Sequence, residues 1–123
     1  MSNTFGKIGW IDMTVADADG VRDFYKAVVG WNVEDTSMGD YSDYTMMSPD
    51  DGDAIAGICH ARGANTGLPG GWLIYITVAD VTASAAACVA NGGKVIVEPG
   101  GLAGGQFCVI EDPSGATAAL YQP

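Results

Sequence analysis

Positive charge is the scarcest property of this chain: 123 residues hold five Lys and Arg and one His against fifteen Asp and Glu, a net charge of −10. A surface of that sign repels phosphate backbones, which predicts no nucleic-acid partner. The same charge either draws in a cationic small molecule or serves only to keep the protein soluble. One histidine, His60, cannot by itself build the multi-ligand site a transition metal wants. Long apolar runs are also missing. No stretch approaches the roughly 18 residues of a membrane span, and Met1 to Gly9 has no basic and apolar leader, which together predict a soluble cytoplasmic protein with no membrane partner. Cysteine is limited to Cys59, Cys88 and Cys108, an odd number without paired spacing. That argues against a disulfide framework or a zinc ribbon and predicts buried free thiols.

Apolar residues make up 48% of the chain, enough for one sizeable core. They are organised by a repeat. Ile11, Thr14, Val15, Ala16 and Asp17 recur as Ile74, Thr77, Val78, Ala79 and Asp80, a shift of 63, and the same shift carries Gly30 onto Gly93 and Gly52 onto Gly115. A period of this length present twice predicts a duplicated supersecondary module within a single domain spanning 1–123. Module 1 covers about 6–60, a linker rich in turn residues covers 61–70, and module 2 covers about 71–122.

Each copy opens on a half-buried strand. Ile11, Met13 and Val15 point one way and Trp10, Asp12 and Thr14 the other; Ile74, Ile76 and Val78 alternate likewise with Leu73, Tyr75 and Thr77. The aliphatic face is expected to lie against a helix. Asp17 and Asp80 stand where helix N-caps belong, and Gly30 and the pair Gly92–Gly93 where helices stop. Three short stretches of strand composition follow in each half: WNVED, DYTMMS and AIAGICH, then KVIVE, QFCVIE and ATAALYQ. The reading is an α+β fold of two tandem βαβββ modules forming a cupped, eight-stranded mixed sheet with its helices outside and a shared cavity within.

Paired modules with a V-x-D strand end, FY in the first helix and DPSG before the last strand resemble the vicinal oxygen chelate superfamily, the glyoxalase, bleomycin-resistance and extradiol dioxygenase group. The wording is similar to a glyoxalase-like subgroup. In that family a divalent metal is held by one side chain from the first and last strand of each module. Carried over by motif, these positions are Trp10, Ala56, Leu73 and Ala119, none of which offers a metal a lone pair. The resemblance therefore implies no metal and no cofactor here. The inward parities nominate Trp10, Asp12, Tyr75, Tyr121 and Phe107 or Tyr44 as the lining, an aromatic cup with one carboxylate, suited to a flat or cationic ligand. Asp12 is expected either to bridge to Tyr75 or to orient that ligand. His60, of the same parity as Ala56, is read as rim packing or a ligand contact.

Three functions stay open. One is a metal-free module that sequesters an aromatic or cationic compound, as bleomycin-resistance relatives do. Another is a lyase, isomerase or dioxygenase with an atypical or absent metal site, and the third is a subunit that serves assembly. The resemblance also implies a homodimer.

Overall fold

The computed structural model describes residues 5–123, so the part of the leader reading that falls on residues 1–4 lies outside the described residues. The elements are β1 (Ile8–Val15), α1 (Ala18–Val29), β2 (Asn32–Ser37), β3 (Ser42–Met47), β4 (Ala54–His60), β5 (Trp72–Thr77), α2 (Val81–Ala90), β6 (Lys94–Leu102), β7 (Gly105–Glu111) and β8 (Thr117–Gln122), with a 3-10 turn at Gly63–Asn65. This is the expected βαβββ order read twice. The strands hydrogen-bond in the order β2-β3-β4-β1-β5-β8-β7-β6, a mixed α+β sheet. The chain divides into two compact units, Ile11–Trp72 and Leu73–Pro123 together with the residues up to Trp10.

The caps are those the sequence predicts. Asp17 accepts the N–H of Gly20 at 3.0 Å and Asp80 that of Ala83 at 3.0 Å, each satisfying a donor the first helical turn leaves over. Gly30 ends α1 in the left-handed region, φ 86°, its N–H donating to the carbonyl of Lys26. In the second copy the left-handed residue is Gly92, φ 93°.

In the first unit β1 and β4 run parallel, while β2, β3 and β4 are antiparallel neighbours. Val15, Val21, Tyr25, Trp31 and Val33 close over the buried Ala18, Tyr44, Met46 and Ile58, so the aliphatic face of β1 lies against α1 as expected. The second unit repeats the scheme. Ile76, Val78, Val95 and Ile110 pack around Val81, Ala85, Cys108 and Leu120 beneath α2. Cys108 is fully buried, whereas Cys59 and Cys88 are half-buried; all three are free thiols. Tyr44, one of two candidates for the cavity wall, instead belongs to the core beneath α1.

A second departure has a one-residue cause. Met46 pairs with Ala56 but Met47 pairs with Ala54, so Ile55 is an unpaired bulge residue in β4. Beyond the bulge Asp12 stands beside Gly57, while Tyr75 stands beside Ala119. The repeat offset is therefore 62 at this strand, not 63. Ala56 follows Met46 and Ile58 to the side of α1, and Gly57 takes the place in the first module that Ala119 takes in the second. Because Ile55 is exposed and its removal leaves the ladder Met46–Ala56, Met47–Ala54 continuous, deleting it is expected to cost no more than about 1 kcal/mol. Chemical denaturation checks this, and a loss well above that value would mean the bulge shapes the strand for some other contact.

Candidate functional site

Each unit leaves one sheet face uncovered by its own helix. In the first unit the strand register puts Asp12 beside Gly57, Thr14 beside Cys59, and Thr45 beside Gly57 on that face. Alternation adds Asp43, which is buried. Burial raises the Cys59 thiol to about 12, with the charges of Asp12 and Asp43 and a hydrogen bond to Asp43 acting in the same direction. Burial and these carboxylates thus disfavour the thiolate, which is the nucleophilic form. Of these, Asp12 is the one that strand alternation nominates in the sequence; Asp43 and Cys59 join it on this face only through the register. The signal for Asp43 was present in DYTMMS, where Asp43 and Thr45 share a parity.

The raised thiol has a consequence for stability. Its folded value lies above that of an unfolded cysteine, so its contribution is complete below about pH 8.5 and is lost as pH rises toward about 12. Burial raises Cys108 as well, and its hydrogen bond to Asp19 raises Tyr44 most, so both add to the same alkaline decline. Stability measured between pH 8 and 11 is expected to fall less steeply in Cys59→Ala than in the parent; identical slopes would show that Cys59 does not titrate differently on folding.

His60 is not on the face of Asp12. Beside Val15 in the register, it lies at the α1 side of β4, the parity that the Ile55 bulge reverses. Its backbone N–H donates to Asp43 Oδ1 at 2.8 Å. Its ring stands with Nδ1 3.4 Å from Asp43 Oδ1 and Nε2 3.4 Å from Asp19 Oδ1. The rings of Tyr41 and Tyr44 flank it, and the Tyr44 hydroxyl donates to the same Asp19 oxygen. These partners tie β3, β4 and α1 together and pack the imidazole among protein groups, the first of the two readings offered for it.

In the second unit the face away from α2 carries Leu73, Tyr75 and Thr77 from β5, with Ala119 beside Tyr75, Val109 beside Ala119, and Phe107 beside Tyr121. Leu73, Tyr75, Val109 and Ala119 are buried; Phe107 and Tyr121 are half-buried, as is Trp10 in β1. The Tyr121 hydroxyl donates to the carbonyl of Ala103 at 3.0 Å, fixing the ring beneath the β6–β7 turn. Apart from Thr77 this face is aromatic and aliphatic, with no carboxylate or basic side chain among the residues named.

The positions at which the resemblance implies metal ligands are Trp10, Leu73 and Ala119 in one unit and, by the β4 register, Gly57 in place of Ala56 in the other. An indole N–H only donates, and Leu, Ala and Gly side chains have no donor atom, so these residues do not fit a divalent metal. Among the described residues no group of three or more His, Cys, Asp or Glu is placed to hold one either. No helix among them is long and apolar enough to cross a membrane.

The profile of the Glyoxalase/Bleomycin resistance protein/Dioxygenase superfamily matches residues 7–120. A Mycobacterium bovis protein provisionally named glyoxylase CFP32 is 33% identical over 122 residues, which is 98% of this chain and 46% of that protein. The anthracycline biosynthesis protein DauV of Streptomyces sp. (strain C5) is 28% identical over 95% of this chain and 47% of its own. The chain thus spans about half the length of the curated relatives it matches. Among solved structures, a Streptomyces coelicolor methylmalonyl-CoA epimerase variant in complex with 2-nitronate-propionyl-CoA aligns with TM-score 0.58 and 22% identity, over 96% of this chain and 94% of that one. A Mn(II)-bound glyoxalase from Novosphingobium aromaticivorans gives TM-score 0.59 and 22% identity over 97% and 39%. At these identities the structures show a shared fold.

Proposed function

Because the chain belongs to the glyoxalase/bleomycin resistance protein/dioxygenase superfamily, we propose that it is a cytoplasmic, homodimeric small-molecule-binding protein that works without a metal at the family's position and takes an aromatic or cationic ligand. The observation that carries this reading is the donor set: Trp10, Gly57, Leu73 and Ala119 stand where the family's ligands are expected, and none has a lone pair for a cation. The half-buried rings of Trp10, Phe107 and Tyr121 suit a flat ligand, since such rings gain from stacking and offer faces to cations. Asp12, a half-buried carboxylate on its own unit's uncovered face, suits an ammonium or other donor. That relatives carry names from glyoxylase chemistry and anthracycline biosynthesis supports a small organic molecule as the ligand class.

A thermal-shift screen against cationic and aromatic compounds tests the proposal, because a ligand of the native state raises Tm by mass action. For a hit, Asp12→Asn is expected to keep the fold and weaken binding by roughly 1 to 3 kcal/mol, the scale of a lost charge-assisted hydrogen bond. Tyr75→Phe, measured beside it, reports the structural alternative. Equal losses of stability in both variants with affinity unchanged would reject the ligand role of Asp12. Stoichiometric Ni, Zn, Fe or Mn after purification without chelators would overturn the metal-free reading in favour of an enzyme with an atypical site.

A further inference from the structure

We propose that the outward face of α1 is where a second copy of this chain docks, the two α1 helices packing antiparallel about a twofold axis; this rests on the homodimer reading above and names its surface. α1 buries Val21 and Tyr25 against the core but leaves Phe24 57% and Val28 63% exposed, with exposed Ala27 between them at helical spacing. The strip does not end at the helix. The Phe24 ring meets Tyr25 edge-on at 5.1 Å, and Tyr25 meets Trp72 at 5.4 Å and accepts its indole N–H at 3.2 Å. Trp72 is itself 38% exposed. Aromatic residues and Arg are the types enriched in interface cores, whereas charge is depleted there.

Electrostatics selects the occupant. Two chains at −10 each repel, so they meet most readily where the surface is locally neutral. α1 is such a place: Asp19 and Asp23 are matched by Arg22 and Lys26, two of the five cations in the chain. An isologous, antiparallel pair also brings one flank of the helix against the same flank of its twin with direction reversed. Asp23 and Lys26, both exposed, lie on the same flank of the strip three residues apart; Oδ1 of Asp23 takes the Arg22 side chain of its own helix at 2.9 Å, and its other oxygen faces the ammonium of the second copy, twice. The complementarity is built into a single helix and needs no second kind of partner.

The test is sedimentation of the full chain across the micromolar range, with thermal melts of each variant to confirm the fold. The parent is expected to dimerise, and more tightly at high salt, because salt screens the net repulsion of the two copies. Phe24→Glu is expected to raise the dimer dissociation constant by about 100-fold or more, the scale of a central apolar anchor replaced by a charge. Lys26→Glu alone is expected to weaken the dimer, and the double swap Asp23→Lys with Lys26→Glu to restore it, since exchanging both charges preserves the reciprocal pair; the Arg22–Asp23 ion pair lost in the swap lies within one copy and is read separately in the thermal melt. A parent that stays monomeric at every concentration overturns the homodimer reading and this surface together. A dimer indifferent to Phe24→Glu, or a double swap no better than Lys26→Glu, overturns the surface alone.

Discussion

Replacing Met46 by alanine is expected to remove about 3 kcal/mol of folding stability, within the range of 2 to 5 for a fully buried methionine truncated in a packed core. Met46 has no exposed surface and lies among Ala18, Tyr44 and Ile58, with Val33 opposite it on β2. Its neighbours are held from two directions, by α1 from above and by the strand ladder from either side, so the space it leaves has little freedom to collapse. For a chain of this size the loss corresponds to a fall in Tm of roughly 10 °C. Phe24→Ala supplies the contrast: although the residue is larger and on the helix that covers Met46, it is mostly exposed and is expected to change monomer stability by no more than about 0.5 kcal/mol. Urea titrations of the two variants decide the matter. A Met46→Ala loss as small as that of Phe24→Ala would mean the core refills.

Gly105→Ala is expected to cost about 3 kcal/mol, for a reason unrelated to glycine flexibility. A Cβ at this position would fall 2.2 Å from the carbonyl oxygen of Gln122 and 2.7 Å from the hydroxyl oxygen of Tyr121. The ring could turn away. The carbonyl could not, because Gln122 is fixed opposite Gln106 in the β7–β8 ladder. Displacing Tyr121 would also break its hydrogen bond to Ala103 and disturb one of the rings proposed to meet the ligand. The neighbouring Gly104→Ala separates clash from backbone strain: Gly104 has φ 80° but open space around it, so only about 1 kcal/mol of strain is expected there. Equal effects at 104 and 105, measured by denaturation, would rule out the clash. A ligand affinity reduced in Gly105→Ala and kept in Gly104→Ala would tie Tyr121 to binding.

The sequence by itself determined the duplicated α+β module, the eight strands and two helices, and which face of β1 and β5 meets a helix. It could do so because these properties are local: Asp17 and Asp80 cap within three residues, and Met13 with Val15, or Ile76 with Val78, reveal a buried face by alternation alone. It also sufficed to show that Trp10, Leu73 and Ala119 lack metal donors, since that is a matter of side-chain chemistry. What only the tertiary structure decided begins at Ile55. Parity is counted along the chain, and one unpaired residue reverses it for everything downstream, so Ala56 and His60 pass to the α1 side and Gly57 and Cys59 to the other. The gathering of Asp12, Asp43 and Cys59 on one face, and of His60 with Asp19 and Tyr44 on the other, depends on which strands pair and in what register. Register is set by hydrogen bonds between segments distant in sequence, and no periodicity within a segment records it.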